Sequence, residues 1–541
     1  MRIGHPRAAI VALVALAAAL AAAFLLRAES VPSFAEQACG IPGSHLEFVR
    51  RGYFPGRSGQ VSILPDYPGY VSSARGGWTH SGPWRHLQHI PLVFYGPGVV
   101  SAEGEVARSA TLADIAPTVA TLLKGSFRTE DGRTLPEVAR IDASFLRRDR
   151  PRLVVIVVWD GGGWNVLRQW PGAWPNLRRA IEGGVSYVNA SVGSSPSVTP
   201  AVHTTLGTGV FPWRHGITNI QVRDETGEVV DAFYRGESSH LIEVPALAER
   251  WDQLNDNRAL IGMVGYEPWH LGMIGQGAER PGGDRDDAAW LDIETNEWIS
   301  NPDHYRLPSS LVDPRRLQED LDSLDARDGE VDDSWLGHEI LDDRDRIEEV
   351  PAFITYHGRG MRRMIRDEGY GADEITDLLF TNFKQIDRVG HYFNMASEEV
   401  RQSVIETDRQ LGELFEFLDS EVGRNRWVTV VTADHGQQPD EDTIGGYGID
   451  PDELDRDLVD EFGPVLEASW GTELFLDPDE MASRDVDVAE VARFVGGYRL
   501  RDNVLSLGER FGGAGSFGPG DRLFDMAIPA VMVPNLSCST D

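Results

Sequence analysis

The sequence predicts an α/β protein with a mostly parallel central sheet and helices on both faces. Two observations carry this. Continuous apolar runs of strand length recur along the chain and read as strands buried on both faces. These runs alternate with helical stretches, the order that builds a parallel sheet covered by helices.

In chain order, Pro91 to Tyr95 (PLVFY) is the first run and ends in Gly96-Pro97-Gly98. Val154 to Trp159 is the clearest, and Asp160-Gly161-Gly162-Gly163 turns it sharply into a helix. Leu378 to Phe383 runs towards Asp387, and Trp427 to Thr432 (WVTVVT) ends in Ala433-Asp434-His435-Gly436. Working residues in such sheets sit just past the strands' carboxyl ends, where Asp160 and Asp434 fall. The stretch 240–350, rich in Gly, Asp and Trp, reads as an insertion over the sheet near the site.

The 541 residues suffice for one large domain with insertions or two ordinary ones. A formal net charge of −35 argues against nucleic acid as a partner, since phosphate backbones are gripped by Lys and Arg. It leaves room for a small anionic substrate, because metal ions reverse the field inside a pocket. Runs such as Asp332-Asp333 and Asp342-Asp343 read as solvated surface. Arg2 and Arg7 precede an apolar run at residues 8–26 that serves equally well as a signal peptide or a membrane anchor. Either delivers the rest outside the cytoplasm. There, a disulfide between the two cysteines, Cys39 and Cys538, is permissible.

Asp160, Thr199, Asp387 with His391 four residues on, and the adjacent pair Asp434-His435 form a set able to hold two divalent metals on one rim. The Asp-x-x-x-His spacing lets both side chains meet on one helical turn or in a tight loop. Each piece is weak alone; their order and their setting of apolar strand, ligand and glycine make the set specific.

Asp160-Gly161-Gly162, Thr199 with the run His203 to Gly209, His215-Gly216-Ile217, Asp387 to His391, and Thr432 to Gly436 resemble the alkaline phosphatase superfamily, in its order. The branch they resemble is the nucleotide pyrophosphatase/phosphodiesterase one. The resemblance implies one zinc held by Asp160, Thr199, Asp434 and His435, and a second held by Asp387, His391 and a histidine from the family's C-terminal part. It also implies that Thr199 attacks phosphorus in line and forms a phospho-threonine intermediate. Asn219 is the candidate for a hydrogen bond to a phosphoryl oxygen. His203, Thr204, Thr205 and His215 are expected to brace the nucleophile's helix.

No histidine follows His435. Instead, Arg75 to Trp84 (RGGWTHSGPW) and Pro91 to Gly98 resemble the family's closing motif, and Arg150-Pro151-Arg152 leads directly into its opening strand. The chain therefore resembles a circularly permuted member. Residues 40–145 correspond to the family's C-terminal part and form one domain with 150–541, and His80 supplies the missing zinc ligand. Cys39 and Cys538 flank the join, so a disulfide there would seal it and contribute roughly 4–5 kcal/mol by the chain-entropy model.

The expected activity is extracytoplasmic hydrolysis of a small phosphorylated substrate, with phosphodiesters favoured slightly because no Lys-x-Arg pair of the phosphomonoesterase kind is found. His270, Arg280, Arg285 and the run Gly282 to Asp286 are candidates for lining the substrate site, and His86 and His89 for surface or supporting roles. Ser197 to Ala201 lacks the spacing and the arginine of a sulfatase. A phosphonate hydrolase and an inactive envelope ligand-binding protein are the alternatives.

Overall fold

The structure is a computed structural model that describes residues 31–72, 79–139, 149–234, 237–292, 294–312, 316–343, 346–503 and 515–538. The apolar run 8–26 and Arg75 to Trp78 of the closing motif lie outside the described residues. Among the described residues no helix is long and apolar enough to cross a membrane.

The main sheet has nine strands in the order Glu297–Ile299, Asp287–Asp292, Ile261–Val264, Asp377–Phe383, Leu153–Trp159, Trp427–Thr432, Leu92–Tyr95, Val185–Ser191 and Gly104–Thr111. From Asp287–Asp292 to Trp427–Thr432 every pairing is parallel. Leu92–Tyr95 runs antiparallel to both of its neighbours, and Glu297–Ile299 closes one edge antiparallel. All seven residues of the central strand Leu153–Trp159 are buried. Val155, Val157 and Trp159 face one core beneath the helices Ala352–Glu368 and Glu398–Leu418. Val154, Ile156 and Val158 face the other, beneath Ile115–Leu122 and Leu247–Leu254. Because both faces are dry, the strand carries no polar alternation. The stretch read as an insertion contributes three strands, Ile261–Val264, Asp287–Asp292 and Glu297–Ile299, to this sheet.

A second, antiparallel sheet has the order Leu466–Trp470, Glu473–Leu476, Val61–Pro65, Phe524–Pro529. One strand near the start of the chain thus lies between two from its end. The ends also meet covalently, through the disulfide Cys39–Cys538. Beside it, the helix Phe34–Gly40 starts at a capping box formed by Ser33 and Glu36. Gln37 of this helix accepts a hydrogen bond from the Ala527 amide at 2.8 Å, which fixes it on the strand Phe524–Pro529.

Candidate active site

The predicted ligands converge at the carboxyl edge of the parallel strands. Asp160 follows the strand Leu153–Trp159 directly, and Asp434 and His435 come just after Trp427–Thr432. Two glycines let these loops touch. A Cβ on Gly161, whose φ is +67°, would stand 3.0 Å from the Asp387 backbone, and one on Gly163 would stand 2.6 Å from Gly436 Cα. The Gly161 amide donates to Asp434 Oδ1 at 3.1 Å. Asp387 and His391 lie one turn apart on the helix Gln385–Phe393, with Nε2 3.3 Å from Oδ2.

His80 arrives from the opposite end of the chain. Its Nδ1 donates to the Ser197 carbonyl at 3.0 Å, and Ser197 Oγ donates back to the His80 carbonyl at 2.6 Å. A carbonyl can only accept, so Nδ1 carries the proton and Nε2 is free to bind a metal. That Nε2 lies 3.7 Å from Asp387 Oδ1, and the ring stacks on His435 at 3.5 Å. His435 Nε2 in turn lies 3.4 Å from Asp160, 3.6 Å from Asp434 and 3.9 Å from Asp387. Among the described residues three overlapping groups result, His80/Asp387/His435, Asp160/Asp434/His435 and Asp160/His203/His270, each with its donor atoms within 4.8 Å of one another.

This donor set fits divalent metals. Asp387 Oδ1, Asp434 Oδ2 and His435 Nε2 are buried and make no hydrogen bond. Leaving such atoms unpaired costs about 1–3 kcal/mol each, which a bound cation offsets. Asp, His and a hydroxyl suit zinc.

Thr199 is buried at the first position of the helix Thr199–Thr208, with Pro200 behind it, so free backbone amides and the helix dipole favour an anion in front of it. Its Oγ1 accepts from Lys384 Nζ at 3.4 Å. Lys384, which sequence reasoning missed, also donates to Asp160 Oδ1 at 3.2 Å and lies 2.8 Å from Asp387 Oδ2. The rule that found Asp160 would have found it, because Lys384 immediately follows the strand Asp377–Phe383. Burial pulls its pKa down, but Asp160 and Asp387 outweigh burial and hold it well above the usual lysine value. Burial likewise works against charge on His435, yet Asp434, Asp160 and Asp387 raise it to about 9.

Beneath the ligands, Asn382 Nδ2 donates to Asp160 Oδ2 at 2.9 Å, and His203 Nε2 lies 3.5 Å from Asp434 Oδ2. His203 Nδ1 meets His270 Nδ1 at 3.1 Å. His270 is therefore buried behind the ligands and is not among the residues lining the cleft. Thr205 Oγ1 and His215 Nε2 are 3.0 Å apart, which braces the helix as expected. Arg280 pairs with Glu249 at 3.1 Å, and neither it nor residues 282–286 line the cleft. His86 is paired with Gln438 at 3.1 Å and His89 with the Val188 carbonyl at 2.7 Å, both supporting roles.

The cleft itself holds about 670 Å³ and is lined by His80, Thr199, Asn219, Lys384, Asp387 and His391 on one side. Ile63, Leu454, Ser469, Trp470 and Leu474, from the small sheet and the helix beside it, form the other. Asn219 thus faces the cleft, but its Nδ2 donates to Glu473 Oε2 at 3.0 Å. Burial raises Glu473 to about 7.

A covered parallel sheet with acidic and imidazole donors at its carboxyl edge beside a helix-borne threonine defines a phosphoester hydrolase of the alkaline phosphatase superfamily. The chain belongs to the type I phosphodiesterase / nucleotide pyrophosphatase family, which residues 154–468 match. It is 23% identical over 401 residues to alkaline phosphatase PafA of Elizabethkingia meningoseptica, covering 64% of this chain and 72% of that one. Against alkaline phosphatase PhoV of Synechococcus elongatus it is 24% identical over 338 residues, 53% of this chain and 59% of that one. The crystal structure of wild-type PafA superposes with a TM-score of 0.53 at 20% identity, over 64% of this chain and 76% of that one, and so shares its fold.

Proposed function

We propose that this chain is an extracytoplasmic, metal-dependent phosphodiesterase that works through a phospho-threonine intermediate on Thr199. The observation that carries this reading is the set of buried donor atoms that make no hydrogen bond, Asp387 Oδ1, Asp434 Oδ2 and His435 Nε2, in the site that also holds the Thr199 hydroxyl. Asp160, Thr199, Asp434 and His435 would hold one divalent ion, zinc by donor type, and Asp387, His391 and His80 a second. When bound, the ions supply Lewis-acid stabilisation of the attacking and leaving oxygens.

The residues do the rest. Thr199 Oγ1 gives up its proton to solvent and attacks phosphorus, the bond to the leaving alcohol's oxygen breaks, and that oxygen takes up a proton from solvent. Water then displaces Thr199 from phosphorus and restores its hydroxyl. Lys384 keeps a positive charge beside Thr199 Oγ1, where negative charge gathers during the attack. The amides at the start of Thr199–Thr208 face the same charge, and Asn219 would donate to a phosphoryl oxygen once its amide leaves Glu473. The cleft continues past Thr199 to Trp269, Tyr392 and Trp470, leaving room for a second ester group.

Hydrolysis of bis-p-nitrophenyl phosphate beside p-nitrophenyl phosphate by the zinc-supplied protein tests this, with Thr199→Ala as the blank. The expected result is Thr199-dependent preference for the diester. Preference for the monoester would make the protein a phosphatase, and silence on both would turn attention to phosphonates or ligand binding. Lys384→Met should lower turnover on the order of 10²-fold, the usual cost of removing one oriented charge stabiliser. Unchanged turnover would leave the ammonium with no part in the attack.

We further propose that the chain is circularly permuted, with His80 in the place of the family's C-terminal histidine. Supporting this, the family match begins only at residue 154, and Val61–Pro65 pairs with Phe524–Pro529. His80→Ala should weaken one metal site by more than the 10- to 100-fold typical of losing an outer partner and leave the other intact. Two metals per chain in that variant, counted by elemental analysis, would overturn the assignment. The disulfide fits a protein of an oxidising compartment.

A further inference from the structure

A second cluster of carboxylates lies outside the cleft, where the helix Leu247–Leu254 meets the loop leading into the strand Asp287–Asp292. One oxygen each from Asp252, Asp284 and Asp286 lies within 4.8 Å of the others. Asp252 and Asp286 are only 4% and 7% exposed, while Asp284 faces solvent. Among the described residues the Asp286 side chain has neither a hydrogen bond nor a cationic partner, and it points into the cluster. Asp252 Oδ1 is also buried without a hydrogen bond.

Two of the positive charges nearby are engaged elsewhere. Arg280 holds Glu249 at 3.1 Å, and Arg306 donates to Asp287 at 2.7 Å, where the Tyr370 hydroxyl also donates at 2.9 Å. The three remaining carboxylates crowd one another, two of them buried and Asp284 at the surface. Burial, followed by Asp252 and Asp284, pushes Asp286 well above the usual carboxylate range.

We propose that Asp252, Asp284 and Asp286 bind a hard divalent cation, calcium, that ties the helix to this loop. The donor set is all oxygen, with no imidazole or thiolate to favour zinc. Its carboxylates come from two separate segments, and the exposed Asp284 leaves an entry for the ion and for the waters that complete a shell of 6–8 oxygens. An irregular, partly open site of this kind suits calcium better than magnesium, which demands a near-ideal octahedron. The site also explains an acidic run that the substrate cleft does not use. Trp251, next to Asp252, donates to the Thr376 carbonyl at 2.7 Å, so a bound ion would brace the helix against the start of the strand Asp377–Phe383.

The test uses the full chain with zinc kept in excess, so that calcium does not compete for the catalytic ligands. Calcium is titrated by calorimetry and by thermal unfolding against wild type, Asp286→Asn and the exposed Asp284→Asn. Wild type is expected to bind one calcium and to gain roughly 2–4 °C in Tm at millimolar calcium. Both variants should lose the heat and the shift. Should Asp286→Asn fail to fold, Asp284→Asn carries the comparison alone. A wild type with no calcium heat and no shift would overturn the proposal and leave the cluster as carboxylates sharing protons. Unchanged calcium binding in Asp284→Asn would overturn it too.

Discussion

Replacing Thr199 with alanine is expected to lower turnover by on the order of 10⁴-fold or more while both metals stay bound. The loss is large because the hydroxyls that flank Thr199 in sequence are engaged elsewhere. Ser197 Oγ is held on the His80 carbonyl at 2.6 Å, and Thr204 Oγ1 on the Pro200 carbonyl at 2.8 Å. The metals should remain because Thr199 adds one oxygen to a set otherwise made of the Asp160 and Asp434 carboxylates and the neutral His435 imidazole. Steady-state rates on the diester, with metal content measured on the same sample, check both halves. Residual turnover within 10-fold of wild type would mean that water attacks directly, and loss of a metal would mean that Thr199 is structural.

Breaking the Cys39–Cys538 disulfide, by reduction or by Cys39→Ser with Cys538→Ser, is expected to cost about 6 kcal/mol, the chain-entropy value for so long a loop. The bridge spans 499 residues, so it restricts the unfolded chain at almost its full length. Its loss should be felt first in the small sheet, where Val61–Pro65 depends on Phe524–Pro529. The cleft is lined from that sheet by Ile63, Trp470 and Leu474, so substrate binding should weaken with it while the metals stay. Unfolding followed in denaturant with and without reductant reads the effect. An unchanged midpoint would show that packing alone holds the join.

The candidate site was legible where a ligand follows a run of buried residues. Asp160 and the pair Asp434-His435 sit at the ends of strands that are wholly buried, and burial on both faces leaves a plain apolar signature. Asp387 and His391 were legible because one helical turn joins them. Lys384 stands at a strand end too, but a lone lysine there looks like a surface residue until the fold encloses it among Asp160, Asp387 and Thr199. His270 was read towards the substrate, yet packing turned it inward onto His203. The small sheet was invisible as well, because its strands are short and its partners come from opposite ends of the chain.

The sequence by itself determined the covered parallel sheet, the edge at which the site lies and the residue types that gather there, because strand burial and helical spacing are written in local patterns. It also placed His80 and the two cysteines, though only through resemblance to a family. The tertiary structure alone decided that Lys384 stands beside the nucleophile, that Asn219 is held by Glu473, and that Asp252, Asp284 and Asp286 meet away from the cleft. Each of these rests on side chains from separate segments brought within a few ångströms, and such proximity has no local period for a sequence to display.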